Sequence, residues 1–390
     1  MLRLVTILIL VSEIAYAQKP GTLTDSVTCL NSPGQTYALY LPASYTSSAP
    51  AGVILLFDPA ARGKLPVSLY QKLADKHNLI LACSNNSHNG PVEQSIASGN
   101  AVLDDVFARF NVDRTFVIVS GFSGGGRTAV DMALRRGSVA GVITCGAALP
   151  SQNAITKTKQ VAFAEVIGQL DMNYQESIIA NAYLRSVDNP SFLIFFYGGH
   201  QWPPIDAYED AIEWHKLRKK KLNASEFFSD QMKDVKVQID SGYLYEANRL
   251  TSQLLPDFAN SKEAFTIDSQ LASIQKDKRF KSEMLEVQNV NSKELTMQKD
   301  FRTHYTQHLA NGAPDSSFHA EYWKSYTRQC DEMIKSTSRN TKLAGLRLLV
   351  FGWRLCAEQG NFFQENKQHR EAAVSKKILA ILSTSGVKVR

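Results

Sequence analysis

A serine set among glycines, Gly121-Phe122-Ser123-Gly124-Gly125, is where residue types and spacing in this chain could do covalent chemistry. The G-x-S-x-G pattern places a hydroxyl on a sharp strand-to-helix turn, exposed for attack on a carbonyl carbon. Gly121 and Gly125 would let two backbone segments cross closely, and the Gly124 amide could face a developing oxyanion. The flanks provide the context that a lone motif lacks. Residues 116–119 are an apolar, β-branched run suited to a buried parallel strand, and residues 127–135 carry Ala129, Val130, Met132 and Ala133 at helical spacing.

Such a serine needs a base and a carboxylate to orient that base. In the G-x-S-x-G setting the chain order is serine, acid, histidine, each partner on a loop after a later strand. Of the 8 histidines, His200 fits: FLIFFYGGHQWPP places it directly after an apolar strand, on a two-glycine turn. His77 and His88 precede the serine, His215 sits in a charged helix, and His304, His308, His319 and His369 fall in a helical region. The strand VAFAEVIGQL runs into Asp171, leaving room for one helix and one strand before His200. Asp171 is therefore the expected acid, a turn-initiating or capping aspartate being the structural alternative. Glu165 is a second acid candidate, placed inside the strand.

The oxyanion also needs a second amide, from the loop after VILLF, which reads Asp58-Pro59-Ala60-Ala61-Arg62-Gly63. Proline has no N–H to give, so Ala60 is the expected donor beside Gly124. Asp58 would repel an oxyanion if aimed at it, and is expected to turn away, to pair with Arg62 or cap the next helix. Ser84, Asn85 and Asn86 end another strand on the same edge, and Trp202 follows the histidine. Ligands of open α/β sheets bind outside that edge, so Asn86 and Trp202 are expected to line a substrate cleft.

Alternating strands and helices must position these groups. Apolar strand-like runs recur at residues 36–41, 53–57, 79–83, 139–145, 161–167 and 192–197, with helical patterns at 65–76 and 95–110. Crossovers of this length predict an α/β fold with a doubly wound, mostly parallel sheet. From about residue 223 strand-like runs nearly vanish and apolar residues take helical spacing, as in Tyr243, Ala247, Leu250 and Leu254, or Leu348, Phe351 and Leu355. An α/β domain over residues 18–222 and an all-helical domain over 223–390 are therefore expected. Residues 242–258 faintly resemble a tetratricopeptide-type hairpin, without a clean 34-residue period; a bundle or a degenerate repeat both fit.

The composition is that of an ordinary globular chain of 390 residues, 44% hydrophobic and 21% charged. The net charge of +6 is partly local, in Lys216, Arg218, Lys219, Lys220 and Lys221. Without a nucleic-acid-binding fold signature or interleaved aromatics this run reads as a solvated helix end, and no nucleic-acid partner is expected. Arg3, the apolar residues 4–11 and Ala15-Tyr16-Ala17 have the form of a signal peptide over residues 1–17, cleaved before Gln18. No later stretch of about 20 apolar residues follows, and the residue directly after the cleavage site is Gln18 and not the cysteine of a lipoprotein anchor. A soluble, exported protein, periplasmic or secreted, is expected. Of the five cysteines, Cys83 and Cys145 fall in apolar strands and read as buried thiols, while Cys330 and Cys356 could pair. No cluster has metal-ligand spacing, so no metal is expected.

GFSGGG, the Leu170-Asp171 step after a strand, and GGHQWP together resemble the α/β-hydrolase superfamily, specifically secreted esterases of the polyhydroxybutyrate-depolymerase and feruloyl-esterase type, which share a similar GGHxWP ending. The resemblance covers residues 35–215. It implies Ser123 as nucleophile, Asp171 as acid and His200 as base, acting on a small-molecule or polymer-linked ester with no cofactor. The chain departs from those esterases at Asp58-Pro59, where they usually carry His-Gly, and it adds the helical domain. Two alternatives stay open: a serine peptidase or amidase on the same fold, and a non-catalytic exported protein that binds a protein partner through its helices.

Overall fold

The computed structural model describes residues 18–151, 155–310 and 320–387. The leader expected at residues 1–17 lies outside the described residues.

Leu23–Cys29 (β1) and Ser32–Tyr40 (β2) form an antiparallel hairpin. Ala51–Phe57 (β3), Leu79–Ser84 (β4), Val112–Phe122 (β5), Gly141–Cys145 (β6), Phe163–Gly168 (β7) and Ser191–Phe196 (β8) join them in one 8-stranded sheet. The strand order is β1-β2-β4-β3-β5-β6-β7-β8. β2 meets β4 antiparallel, and every pairing from β4 through β8 is parallel. This is the mostly parallel sheet, covered on both faces, that the alternating pattern predicts. β1 has no counterpart among the expected strands, because LTDSVTC offers too few apolar positions to register as one.

Five helices cover the sheet: Lys64–His77 (α1), Val92–Arg109 (α2), Gly124–Arg136 (α3), Tyr174–Ser186 (α4) and Ile205–Arg218 (α5). Those named α2, α3 and α4 bury Val102, Val130 and Leu184 against one face, and α1 and α5 bury Tyr70 and Tyr208 against the other. With both faces covered, β3, β4, β6 and β7 are buried at every residue, which is why their sequences are continuous apolar runs and not alternating ones.

Asn223 then accepts from the amides of Ser225 and Glu226 and starts Ala224–Asp240 (α6). Leu244–Phe258 (α7), Ala264–Lys276 (α8), Lys278–Ala310 (α9), Ala320–Ile334 (α10), Arg339–Glu365 (α11) and His369–Leu382 (α12) follow. The helices are of unequal length and form a bundle. Phe227, Leu254, Phe258 and Ile267 of its first three helices share a core with Phe192 and Trp214 of the sheet region. The later helices surround a separate core of Phe301, Trp323, Tyr326 and Leu348. All five cysteines are buried and unpaired, Cys330 and Cys356 among them. Among the described residues no helix is long and apolar enough to cross a membrane.

A buried ion pair joins this bundle to the sheet. Arg347 on α11 donates through Nε and Nη2 to Glu294 on α9 at 2.7 and 2.6 Å, and both side chains are almost fully buried. Nη1 of Arg347 donates to the Gln169 carbonyl at 2.9 Å, and its guanidinium lies 4.0 Å from the Tyr174 ring centroid. Gln175 on α4 donates to Glu294 and to Asn291. The bundle therefore grips the segment around residues 169–175, just after β7. Removing one member of a buried pair strands the other charge, at a cost of about 3–5 kcal/mol. Arg347→Met is expected to destabilise by that amount in urea unfolding, and Arg347→Met with Glu294→Leu to recover most of it; equal losses in the single and double variants would contradict the pairing.

Candidate active site

β5 ends in Phe122 and α3 begins at Gly124, so Ser123 alone makes the turn, at φ 53 and ψ −124. A non-glycine residue with positive φ is strained. The strain is held by the Ser123 amide donating to the Cys145 carbonyl at 2.8 Å and the Gly126 amide donating to the Ser123 carbonyl at 2.9 Å. The crossing is too tight for side chains. A Cβ on Gly121 would sit 2.3 Å from the Gly125 carbonyl carbon, and one on Gly125 would sit 2.2 Å from the Phe57 carbonyl oxygen. Gly124 opens α3, so its amide has no partner inside the helix and lies at the positive end of the helix dipole.

The loops after β7 and β8 bring Asp171 and His200 to this serine. His200 Nε2 lies 3.0 Å from Ser123 Oγ. His200 Nδ1 lies 2.9 and 3.0 Å from the two oxygens of Asp171. With Asp171 accepting at Nδ1, that nitrogen carries the proton and Nε2 is left to accept from the serine hydroxyl. Asp171 is fully buried, and the Asn173 amide donates to its Oδ1 at 2.8 Å. Asn173 also donates through Nδ2 to the Gly146 carbonyl. A Cβ on Gly146, which has φ +62, would stand 2.9 Å from Asp171 Oδ2 and 3.2 Å from His200 Nδ1. Phe122 packs against the imidazole, with ring centroids 4.6 Å apart.

Asp58 does turn away from the serine. It is fully buried, and Arg62 donates to it through Nε and Nη2 at 2.9 and 3.0 Å. The Trp202 indole N–H donates at 3.0 Å and the Ala60 amide at 2.9 Å. Burial pushes the Asp58 carboxyl up, but the donations from Arg62, Trp202 and Ala60 outweigh it and hold the group below its ordinary value.

Three expectations change as a result. The Ala60 amide is spent on Asp58 and is not free for an oxyanion in this arrangement. Trp202 is buried, packed against Phe122 and Tyr70 beneath the site, and does not line a cleft. Asn86 accepts from the Thr36 amide at 2.8 Å and donates toward the Gly34 carbonyl, so both ends of its side-chain amide are engaged with β2. A residue the sequence reading passed over stands closer. Asn89 is held by its amide to the Pro59 carbonyl at 2.8 Å, and a Cβ on Gly124 would lie 1.9 Å from its side-chain oxygen. The polar run SNNSHNG after β4 was the available signal, but nothing in it distinguishes Asn89 from Asn86.

The other acid candidate, Glu165, is not brought to His200. It is buried in β7, accepts from Ser177 Oγ, and leaves Oε2 without a partner. Desolvation is the main cause that raises its carboxyl to about 8. Among the described residues His77, Glu209 and Glu213 have side-chain atoms close enough to converge on a metal. Lys76 lies 2.7 Å from Glu209 and Lys216 lies 3.2 Å from His77 Nδ1, so two cations already occupy that cluster.

Glu165 also yields a stability prediction. Its ordinary value is 4.5 and its folded value about 8, so between these limits the folded chain keeps a proton that the unfolded chain has released. Stability then falls as pH rises through that window and levels off above it. Glu165→Gln removes the titration. The melting temperature of the variant is expected to gain on the parent progressively from about pH 5 to about pH 8, and a difference that does not change with pH would contradict the burial of a protonated acid.

No family model matches the sequence, and no curated protein sequence matches it. Solved structures align over about half of this chain. An S-formylglutathione hydrolase (FrmB) from Staphylococcus aureus aligns over 51% of this chain and 98% of its own, at 19% identity and a TM-score of 0.42. Est1E from Butyrivibrio proteoclasticus aligns over 51% and 100%, at 12% identity and 0.40. A dipeptidyl peptidase 4 from Porphyromonas gingivalis aligns over 52% of this chain but 35% of its own, at 15% identity and 0.40. These likenesses carry nothing about substrate.

Proposed function

We propose that this chain is an exported serine hydrolase that cleaves carboxylic esters through an acyl-enzyme. The observation that supports it most is the unbroken hydrogen-bond chain from Ser123 Oγ through His200 to the buried Asp171, at 3.0 and 2.9 Å. Ser123 is the nucleophile and His200 the base, and Asp171 holds the imidazole tautomer and stabilises the imidazolium that forms. The leader pattern at residues 1–17 supports export.

In this reading His200 Nε2 takes the hydroxyl proton as Ser123 Oγ attacks the ester carbonyl carbon. The carbonyl oxygen gains the negative charge and faces the Gly124 amide at the positive end of α3. Nδ2 of Asn89, whose side-chain amide stands beside Gly124, is the second donor in place of the Ala60 amide. His200 then gives its proton to the leaving alcohol. Water, deprotonated by the same imidazole, attacks the acyl carbon and releases the acid. The chemistry needs side chains and water alone.

A panel of p-nitrophenyl esters and peptide p-nitroanilides tests this. Ester turnover is expected, falling by at least about 10⁴-fold in Ser123→Ala; turnover retained in that variant would contradict the assignment. Peptide turnover above ester turnover would move the chain to the peptidase reading. Asn89→Ala is expected to lower kcat by about 10²–10³-fold with a small change in KM, as loss of one oxyanion donor does. An unchanged kcat would remove Asn89 from the role.

A further inference from the structure

Glu165 is a buried acid that the proposed chemistry does not use, yet a short run of hydrogen bonds joins it to the acid that the chemistry does use. It lies within β7 and is almost fully buried. Its neighbours Ala164 and Val166 belong to the core under α5. Side chains alternate along a strand, so Glu165 points to the opposite face, where Ser177 on α4 meets it.

Ser177 Oγ is within bonding distance of Glu165 Oε1 and lies 3.2 Å from the Asn173 carbonyl oxygen. The Asn173 amide donates to Asp171 Oδ1 at 2.8 Å, and the Asn173 side chain donates to the Gly146 carbonyl at 2.9 Å. Asn173 thus fixes the Asp171 carboxylate, and Ser177 fixes Asn173. A count of protons assigns the state of Glu165. A serine hydroxyl has one hydrogen to donate. Facing two acceptors, it leaves one unserved unless the carboxyl brings a proton of its own. With Glu165 neutral, Oε1 donates to Ser177 Oγ, and the hydroxyl is free to donate to the Asn173 carbonyl.

The surroundings favour the same state. Glu165 Oε2 has no partner, and the hydroxyl of Thr144, its register neighbour on β6, has none either. A carboxylate so poorly served is costly to bury. Asp171 in the following loop and Glu176 on α4 oppose a further negative charge, while Arg127 on α3 favours one but is paired with Glu176. Burial keeps the Cys145 thiol on β6 protonated. Burial is also the largest of the causes that place the Glu165 carboxyl at about 8.

We infer that Glu165 is a positioning residue of the triad: as a neutral acid it donates to Ser177, and through Ser177 and Asn173 it holds Asp171 in line with His200. The inference rests on the serine-hydrolase reading. Ionisation reverses the link. The proton leaves for solvent, the carboxylate can only accept, and the Ser177 hydroxyl turns from the Asn173 carbonyl to Glu165.

The test is kcat and KM for p-nitrophenyl acetate from about pH 6 to about pH 10, corrected for spontaneous hydrolysis. Glu165→Leu donates nothing and is expected to lower kcat by about tenfold or more at neutral pH, with KM little changed. Glu165→Gln still donates to Ser177 and is expected to recover most of that loss. In the parent, kcat is expected to fall by about tenfold through a limb centred near the Glu165 value of about 8. Glu165→Gln, with nothing to ionise there, is expected to lack that limb. Should Glu165→Leu fail to fold, Ser177→Ala breaks the same run one link nearer to Asp171 and is expected to lower kcat by a similar factor. A purely structural Glu165 would leave the pH profiles of the parent and Glu165→Gln superimposed. That result, or an unchanged kcat in Ser177→Ala, overturns the positioning role and leaves the esterase reading standing. No hydrolysis of any ester, with no fluorophosphonate label on Ser123, overturns that reading and the positioning role with it.

Discussion

The arrangement depends on how closely the end of β5 and the start of α3 cross. Ser123 carries the whole turn at φ 53, a conformation that costs a non-glycine residue roughly 1–3 kcal/mol. It persists because its surroundings allow nothing else. Gly121 and Gly125 are in backbone contact, Gly125 lies against the Phe57 carbonyl, and the Ser123 amide is tied to Cys145 on the neighbouring strand. β3, β5 and β6, parallel and adjacent in the sheet, thus hold one side chain out at their carboxyl edge. The loops that follow the other parallel strands have to meet it there.

Two buried charges hold those loops, each neutralised locally. Asp58 gathers Arg62, the Ala60 amide and the Trp202 indole, so it binds the loop after β3 to the segment just past His200. Glu294 and Arg347 do the same for the loop after β7, through the Gln169 carbonyl and Gln175. Asp171 stands between those two anchors in the chain. The base and the acid are each steadied by a tie that contacts neither directly, and the second tie comes from the helical region. This is a physical reason for the helices to accompany the sheet: without them Gln169 and Gln175 lose polar partners that nothing else among the described residues replaces.

The part of the fold readable in the sequence was the part dominated by burial. VILLF, LILACS and FLIFF are continuous apolar runs because helices cover both faces of their strands. β1 escaped notice because it is an edge strand with a polar face. Ser123, Asp171 and His200 could be placed near one another because each ends a strand of one parallel sheet, and such ends share an edge. The roles expected of Ala60, Asn86 and Trp202 rested on that same edge, which says where a residue lies but not what its polar atoms bind. Asp58 takes the amide of Ala60 and the indole of Trp202, and β2 takes Asn86. Competition of this kind is decided by side-chain geometry across distant segments, and no local pattern records it. The same holds for Arg347 and Glu294, which meet Gln169 and Gln175 only once the bundle is docked.

Everything proposed for the chain rests on Ser123 being an activated nucleophile. Reaction with a fluorophosphonate, followed by intact mass and peptide mapping, tests this directly. The hydrogen-bonded chain to His200 and Asp171 predicts a single adduct on the peptide that contains Ser123, with a labelling rate that collapses in His200→Ala while the fold is retained. An adduct on another residue, or a protein that stays unlabelled, would contradict it.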